Sequence, residues 1–289
     1  MMNVTLQTKL VGFIGKPLAQ SFSQKMHNAA FMEKGLDYFF LPSEIEADAV
    51  GPVLNGLRYM NYVGLSVTKP YKIAVLPFLD AMDDSASIVG SVNAIVIRES
   101  KLIGYNTDGE GFLKSLNEEA GVEFKGNTFF LSGAGGAARA IAIALAFRGA
   151  KKIYIVGRGN ENSSRLARDI NEKIAECAVH IHSGDVQKKQ KAVSDSQVLI
   201  NGSGLGMAPR LNETPVPMEW IRPEMVVSDL TYNPAKTRFL QEAEKVGCLT
   251  VNGLGMLVNQ GVKAFELWTG RSAPEELMRS IVSEIVLGK

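Results

Sequence analysis

The sequence predicts an α/β fold: a doubly wound, mostly parallel sheet together with a smaller α/β domain. Three observations carry that expectation. The apolar run Phe129-Phe130-Leu131 reads as a buried strand that passes through a glycine turn, Gly133-Ala134-Gly135-Gly136-Ala137, into a small-residue helix reaching about Gly149. A second strand, Lys152–Val156, follows at the spacing of a βαβ unit. Strands and helices then keep alternating, with a helix near Asn162–Glu176 and strands at Ala178–His182, Gln197–Asn201 and Met225–Leu230.

The turn has chemistry of its own. Gly133, Gly135 and Ala138 match G-x-G-x-x-G/A, in which a backbone approaches a pyrophosphate at a helix N-terminus. Gly133 permits the sharp turn, Gly135 removes a Cβ that would strike the phosphates, and Ala138 lets helix and strand come close. The free N–H groups of the first helical turn then face the anion. The motif by itself is equally that of a plain tight turn. The Ala-rich helix and the strand after it favour a Rossmann-type dinucleotide domain.

The first third reads as the second α/β domain. Leu10–Gly15 is a buried strand closed by Gly15-Lys16-Pro17. Ser21-Phe22-Ser23 opens a helix carrying Met26, Ala29, Ala30 and Phe31, with Gly35 as its stop. Strand Tyr38–Leu41, a helix around Asp48–Arg58 and strand Tyr62–Val67 follow, the last broken by Thr68-Lys69-Pro70. Val92–Arg98 and Lys101–Tyr105 form a hairpin pair, and a helix runs from Asn106-Thr107-Asp108-Gly109 to about Gly121. The tail from Leu254 is helical, with Val258, Val262, Phe265 and Trp268 at helical spacing. The expected division is residues 1–106, joined by the C-terminal helices 254–289, against residues 107–253, with the active cleft between the two.

Composition excludes several classes. At 289 residues the chain holds two domains and a substantial core. A net charge of +1 argues against nucleic acid or an acidic membrane as main partner. Cys177 and Cys248 are too few and too far apart for a metal cluster or a disulfide framework, so reduced thiols, a cytoplasmic setting and no metal are expected. His180 and His182 alternate on one face of a short strand as a solvated or half-buried pair. The N-terminus does not read as a signal peptide, and no apolar run approaches the roughly 20 residues that span a bilayer.

Polar clusters stand at strand ends, where open α/β sheets bind ligands. Each has a plain reading: Ser21 and Ser23 as helix caps, Lys72 as a solvated cation, Asp108 as an N-cap. Taken together and in order, they resemble one family. Ser21-Phe22-Ser23, Gly64-Leu65-Ser66-Val67-Thr68-Lys69-Pro70-Tyr71-Lys72, Ser91-Val92-Asn93-Ala94, Gly104–Gly109, Gly133–Ala137, Asn201-Gly202-Ser203-Gly204-Leu205-Gly206-Met207 and Met256–Gly261 are similar to the ordered motifs of the shikimate dehydrogenases and cover nearly the whole chain.

The resemblance implies reversible hydride transfer between a nicotinamide nucleotide and the C3 oxygen of shikimate or its relative quinate. It implies that Ser21 and Ser23 bind the substrate carboxylate, that Asn93, Asp108 and Gln260 hold ring hydroxyls, and that Thr68 and Tyr232 line the pocket. Lys72 and Asp108 become the catalytic pair. A lysine acts as base only where its proton is loosely held, and a neighbouring carboxylate works against that, so general base and orienting cation both stay open. Gly133, Ala134, Gly135, Gly136, Ala137, Arg158, Asn160, Ser203, Met207, Leu230 and Gly253 are the implied cofactor residues. One departure concerns Ser66, where most members have Asn. The shorter hydroxyl resembles the quinate/shikimate branch and leaves room for a further ring substituent.

Cofactor choice draws opposite signals from the loop after Val156, Gly157-Arg158-Gly159-Asn160-Glu161-Asn162. No acid closes the strand, and Arg158 suits the 2′-phosphate of NADP. NADP-dependent members usually read Asn-Arg-Thr with a second basic residue nearby, whereas Arg165 comes later here. Such lengthened loops resemble members accepting NAD, with Asn160 or Glu161 bonding the 2′-hydroxyl. The expectation is dual use of NAD and NADP, slightly toward NAD, by a monomer or homodimer. Two rivals stand beside it: a non-catalytic ligand sensor, which would be expected to have lost Lys72 or Asp108, and a dehydrogenase of another small cyclic alcohol.

Overall fold

The structure, a computed structural model, describes residues 4–18 and 21–287. In chain order the elements are β1 (Lys9–Gly15), α1 (Ser23–Glu33), β2 (Tyr38–Glu44), α2 (Val50–Leu57), β3 (Tyr62–Val67), β4 (Ala81–Met82), α3 (Asp84–Val89), β5 (Ala94–Arg98), β6 (Lys101–Tyr105), α4 (Asp108–Ala120), β7 (Thr128–Ser132), α5 (Gly136–Phe147), β8 (Lys152–Val156), α6 (Asn160–Lys173), β9 (Ala178–Ile181), α7 (Val186–Asp195), β10 (Val198–Asn201), β11 (Val226–Asp229), α8 (Arg238–Val246), β12 (Leu249–Val251), α9 (Leu254–Thr269) and α10 (Glu275–Leu287). The chain divides into two compact units, Met1–Thr107 with Gln260–Lys289, and Asp108–Asn259. The second crossing therefore falls inside α9, six residues after its start.

The first unit is built on a mixed sheet in the order β2-β1-β3-β5-β6-β4. Chain direction sets where its ends lie. β1 runs parallel to β3, β5 runs antiparallel to both β3 and β6, and the hairpin turn Glu99-Ser100 has both residues at positive φ. The ends of β1, β3 and β6 and the start of β5 consequently share one sheet edge. On one face Ile14, Leu65, Val67, Ile95 and Leu102 pack with Val50 and Leu54 of α2. The other face takes Trp268 of α9, whose indole N–H donates to Ile95 O at 3.0 Å over Gly64, where a Cβ would overlap the indole. His27, Phe31, Phe40 and Phe265 complete that aromatic core. The helical spacing of the tail is explained here: Val262, Phe265 and Trp268 are all buried, each such side chain contributing about 1.5–3 kcal/mol.

The second unit holds an all-parallel sheet in the order β12-β11-β10-β7-β8-β9. From β7 the chain winds outward through β8 and β9, then returns to β10 on the other flank. The reversal lies between β7 and β10, which is where doubly wound sheets receive ligands. Phe130, Tyr154, Leu199 and Val227 join Phe239 and Leu240 of α8 in one core. β9 ends at Ile181, so His182 lies beyond the strand and is exposed while His180 is half-buried. The two histidines are not a strand-face pair. Among the described residues no group of His, Cys, Asp and Glu is placed to hold a metal, both cysteines are free and buried, and no helix is long and apolar enough to cross a membrane.

Candidate active site

In the first unit, backbone pairing gathers the sequence-marked residues at the shared edge. Thr68 N donates to Ile14 O at 2.9 Å, Val67 N to Asn93 O at 2.8 Å and Asn93 N to Tyr105 O at 3.1 Å. Val92 N donates to Lys72 O at 2.8 Å, which holds the turn carrying half-buried Lys72 one residue from Asn93. Ser66 lies two residues from Gly64 on β3 and so shares the face that α9 covers.

Asn93 is the centre of a knot. Its Oδ1 accepts from Thr107 N at 2.8 Å, and its Nδ2 donates to Thr107 Oγ1 at 2.9 Å and to Gln260 Oε1 at 3.3 Å. Thr107 Oγ1 donates in turn to Gln260 O at 3.0 Å. Thr107 and Gln260 are the two residues at which the chain leaves and re-enters this unit. Asp108, only 4% exposed, opens α4 immediately after Thr107.

Neither serine occupies the N-cap position of α1. Ser21 Oγ accepts from Ser23 N at 3.3 Å, while the N-cap position of α1 is Phe22, which gives no side-chain cap. Ser23 is buried, and its hydroxyl makes no hydrogen bond among the described residues.

In the second unit the glycine turn has the geometry its sequence calls for, with one difference. Gly133 has φ +125°, and a Cβ there would stand 2.5 Å from Gly202 O, so the turn presses against the loop after β10. Ala138 is small for the same reason: a Cβ on Gly202 would lie 3.0 Å from the Ala138 Cβ. Gly135 and Gly136 face open space instead. Gly135 is the N-cap of α5 and no side chain caps it, so the first N–H groups of the helix are left for an anion.

Ala134 lies in the same turn, and Ala137 follows Gly136 in the first turn of α5. Arg158 is exposed on the β8–α6 loop. Asn160 Oδ1 accepts from Ser183 N at 2.9 Å, which spends that oxygen on the neighbouring loop. Leu230 and Tyr232 follow β11, and burial pushes the Tyr232 phenol up. Gly253 N donates to Thr231 O at 3.0 Å, and a Cβ on Gly253 would overlap Leu230 O. Ser203 and Met207 lie on the loop after β10, half-buried.

Residues 13–95 match the shikimate dehydrogenase substrate binding domain, and residues 253–282 match the shikimate 5'-dehydrogenase C-terminal domain. A protein of Alkaliphilus oremlandii named shikimate dehydrogenase (NADP(+)) is 42% identical over 96% of both chains. The chain belongs to the shikimate dehydrogenase family. The crystal structure of shikimate 5-dehydrogenase from Listeria monocytogenes in complex with shikimate and NAD superposes with a TM-score of 0.93 at 38% identity, covering 97% of this chain and 98% of that one. Quinate dehydrogenase from Corynebacterium glutamicum in complex with NAD is 29% identical, with a TM-score of 0.87 over 95% of this chain and 98% of that one.

Within this family member, three polar residues to which the sequence reading gave no role have structural weight, two of them inside the motifs (Thr107 and Asn201) and one outside (Asp229). Thr107 ties Asn93 to Gln260, while Asn201 and Asp229 close β10 and β11 as fully buried polar residues. A legible signal existed for the last two: each is a polar residue ending an apolar strand, Val198-Leu199-Ile200-Asn201 and Val226-Val227-Ser228-Asp229.

Proposed function

We propose that the protein oxidises shikimate reversibly at its ring alcohol, accepts quinate as a second substrate, and uses both NAD and NADP with a slight preference for NAD. The observation that supports the substrate reading best is the Asn93–Thr107–Gln260 knot, which gathers polar side chains beside the Lys72 turn at one sheet edge. Ser21 and Ser23 bind the substrate carboxylate; the buried, unbonded Ser23 hydroxyl suits that role. Asn93, Asp108 and Gln260 hold ring hydroxyls, Thr68 and Tyr232 line the pocket, and Ser66 leaves space for the extra substituent of quinate.

The second unit fits a dinucleotide. The uncapped N-terminus of α5 and the Cβ-free faces of Gly135 and Gly136 suit its pyrophosphate, with Ala134 and Ala137 in the same turn. Arg158 and Asn160 take the adenosine ribose side, and Ser203, Met207, Leu230 and Gly253 the remainder. When bound, a nicotinamide nucleotide supplies the hydride acceptor for alcohol oxidation. The alcohol proton must leave as the carbon is oxidised, and Lys72 Nζ takes or orients it with Asp108 as its partner. A cytoplasmic location suits this chemistry and the two free cysteines.

The test is nicotinamide absorbance on mixing purified protein with shikimate or quinate and each nucleotide. Shikimate-dependent reduction supports the reading, and its absence with both nucleotides removes it.

A further inference from the structure

Among the buried polar side chains of the second unit, Asp229 is a carboxylate held by three donors from three different segments. Its Oδ2 accepts from Asn201 Nδ2 at 2.8 Å and from Thr237 Oγ1 at 2.8 Å, and its Oδ1 accepts from Thr231 N at 2.9 Å. All three partners are donors, and a carboxylate accepting through both oxygens matches them. The side chain is fully buried, and burial pushes the carboxyl up while these same donors pull it down. A buried carboxylate retained at the end of an apolar strand is costly unless every partner is in place.

Each partner leads to a segment at the carboxyl end of the sheet. Asn201 Nδ2 donates to Leu205 O at 2.9 Å as well as to Asp229. This leaves Asn201 Oδ1 for Ser203 N at 3.2 Å and Ser203 Oγ at 2.6 Å. The amide is thus fixed in one orientation, donors toward Asp229 and Leu205, acceptor toward Ser203. Thr237 caps α8 and sits beneath the same loop. Gly206 has φ +89°, and a Cβ there would stand 2.9 Å from the Thr237 Cβ. Thr231 N lies between Leu230 and Tyr232, and Gly202 of the anchored loop is the residue pressed against Gly133.

We propose that Asp229 is a positioning residue for the nucleotide: through Asn201, Thr237 and Thr231 it sets the Gly202–Met207 loop and the Leu230–Tyr232 segment against the Gly133–Ala137 turn. This rests on the reading of the second unit as the nucleotide-binding one. Asp229 touches no ligand itself. It ties three separate segments into one wall, so that the loop is ordered before nucleotide binds.

The test measures nucleotide dissociation constants by titration calorimetry without substrate, alongside the dissociation constant for shikimate without nucleotide. Asp229→Asn places an N–H against a donor and is expected to weaken NADP and NAD about tenfold or more, with shikimate binding changed less than twofold. Because that variant can fail to fold, Thr237→Val and Thr237→Ser form a second pair. The valine should weaken nucleotide about fivefold or more, and the serine, which keeps the hydroxyl, should restore affinity to within twofold.

Met207→Asp puts a charge on the loop itself and tests the underlying reading. If Met207→Asp weakens nucleotide while Asp229→Asn and Thr237→Val only lower the melting temperature, Asp229 is structural and the proposal is overturned alone. If none of the three alters nucleotide affinity, the reading of the unit falls and the proposal with it.

Discussion

Replacing Gly135 with alanine separates folding from nucleotide binding at a single atom. Its backbone angles, φ −78° and ψ −179°, are open to any residue, and an added Cβ would meet nothing within 4 Å. Two small terms act on stability in opposite directions. Reduced freedom of the unfolded chain stabilises by about 0.4–1 kcal/mol, and alanine is a poorer N-cap than glycine by roughly the same amount. The melting temperature of Gly135→Ala should therefore lie within a few degrees of the parent's. A pyrophosphate seated on the α5 N-terminus would instead collide with the new methyl. Overpacking of about 1–3 kcal/mol corresponds to a loss of affinity of roughly 5- to 150-fold.

Gly133→Ala is the contrasting variant. A side chain at φ +125° costs about 1–3 kcal/mol in backbone strain. Its Cβ must also displace Gly202 O, so this variant should lose several degrees of melting temperature before any ligand is considered. Differential scanning calorimetry and nucleotide titration on the two variants decide the matter. A Gly135→Ala protein that binds NAD and NADP as tightly as the parent would refute the assignment of this turn to the pyrophosphate.

Further expectations concern single residues. Lys72→Ala should lower kcat by roughly 10²–10⁴-fold with little rise in KM, and a variant with near-normal turnover removes Lys72 from the chemistry. Ser23→Ala should weaken shikimate by about 1.5–3 kcal/mol while leaving nucleotide affinity unchanged; a change in stability alone would mean that Ser23 serves only packing at the start of α1. Ser66→Asn should reduce quinate oxidation selectively, and a parent protein blind to quinate contradicts the role given to Ser66. Arg158→Ala should weaken NADP more than NAD, since only NADP carries the extra phosphate.

His27 gives a pH dependence. Burial lowers its pKa to about 3, so below the ordinary value of 6.5 the unfolded chain binds a proton that the folded chain refuses. Stability from this group is full above pH 6.5 and falls by about 1.4 kcal/mol per unit down to about pH 3. Denaturant melts of His27→Leu across pH 4–7 should show a flatter profile than the parent.

Legibility in the sequence followed how much apolar pattern each segment carries. β3, β6 and β8 match the expected strands residue for residue, because each is an apolar run bounded by turn residues. β2 runs on to Glu44 through Pro42, past the expected end at Leu41, which an edge strand tolerates because one side lacks a pairing partner. α7 was not legible: in Val186–Asp195 only Ala192 and Val193 are buried, so it carries almost no period. β4 and β12, of two and three residues, are too short to show alternation.

The candidate site was marked in the sequence by motifs, but its hydrogen-bond network was not. Nothing in the spacing of Asn93, Thr107 and Gln260 announces that they bond one another, since that follows from antiparallel β5 and from the path of α9. The same holds for Asn160, whose oxygen is taken by Ser183 from the next crossover.

The most direct measurement is the initial rate of nicotinamide reduction by the purified protein with shikimate as the sole alcohol, in NADP and in NAD separately. Substrate-dependent reduction with both nucleotides, their kcat/KM values differing modestly, is the expected result. No reduction with either nucleotide contradicts the dehydrogenase reading, and a thousandfold preference for NADP contradicts dual use and leaves Arg158 to decide the cofactor.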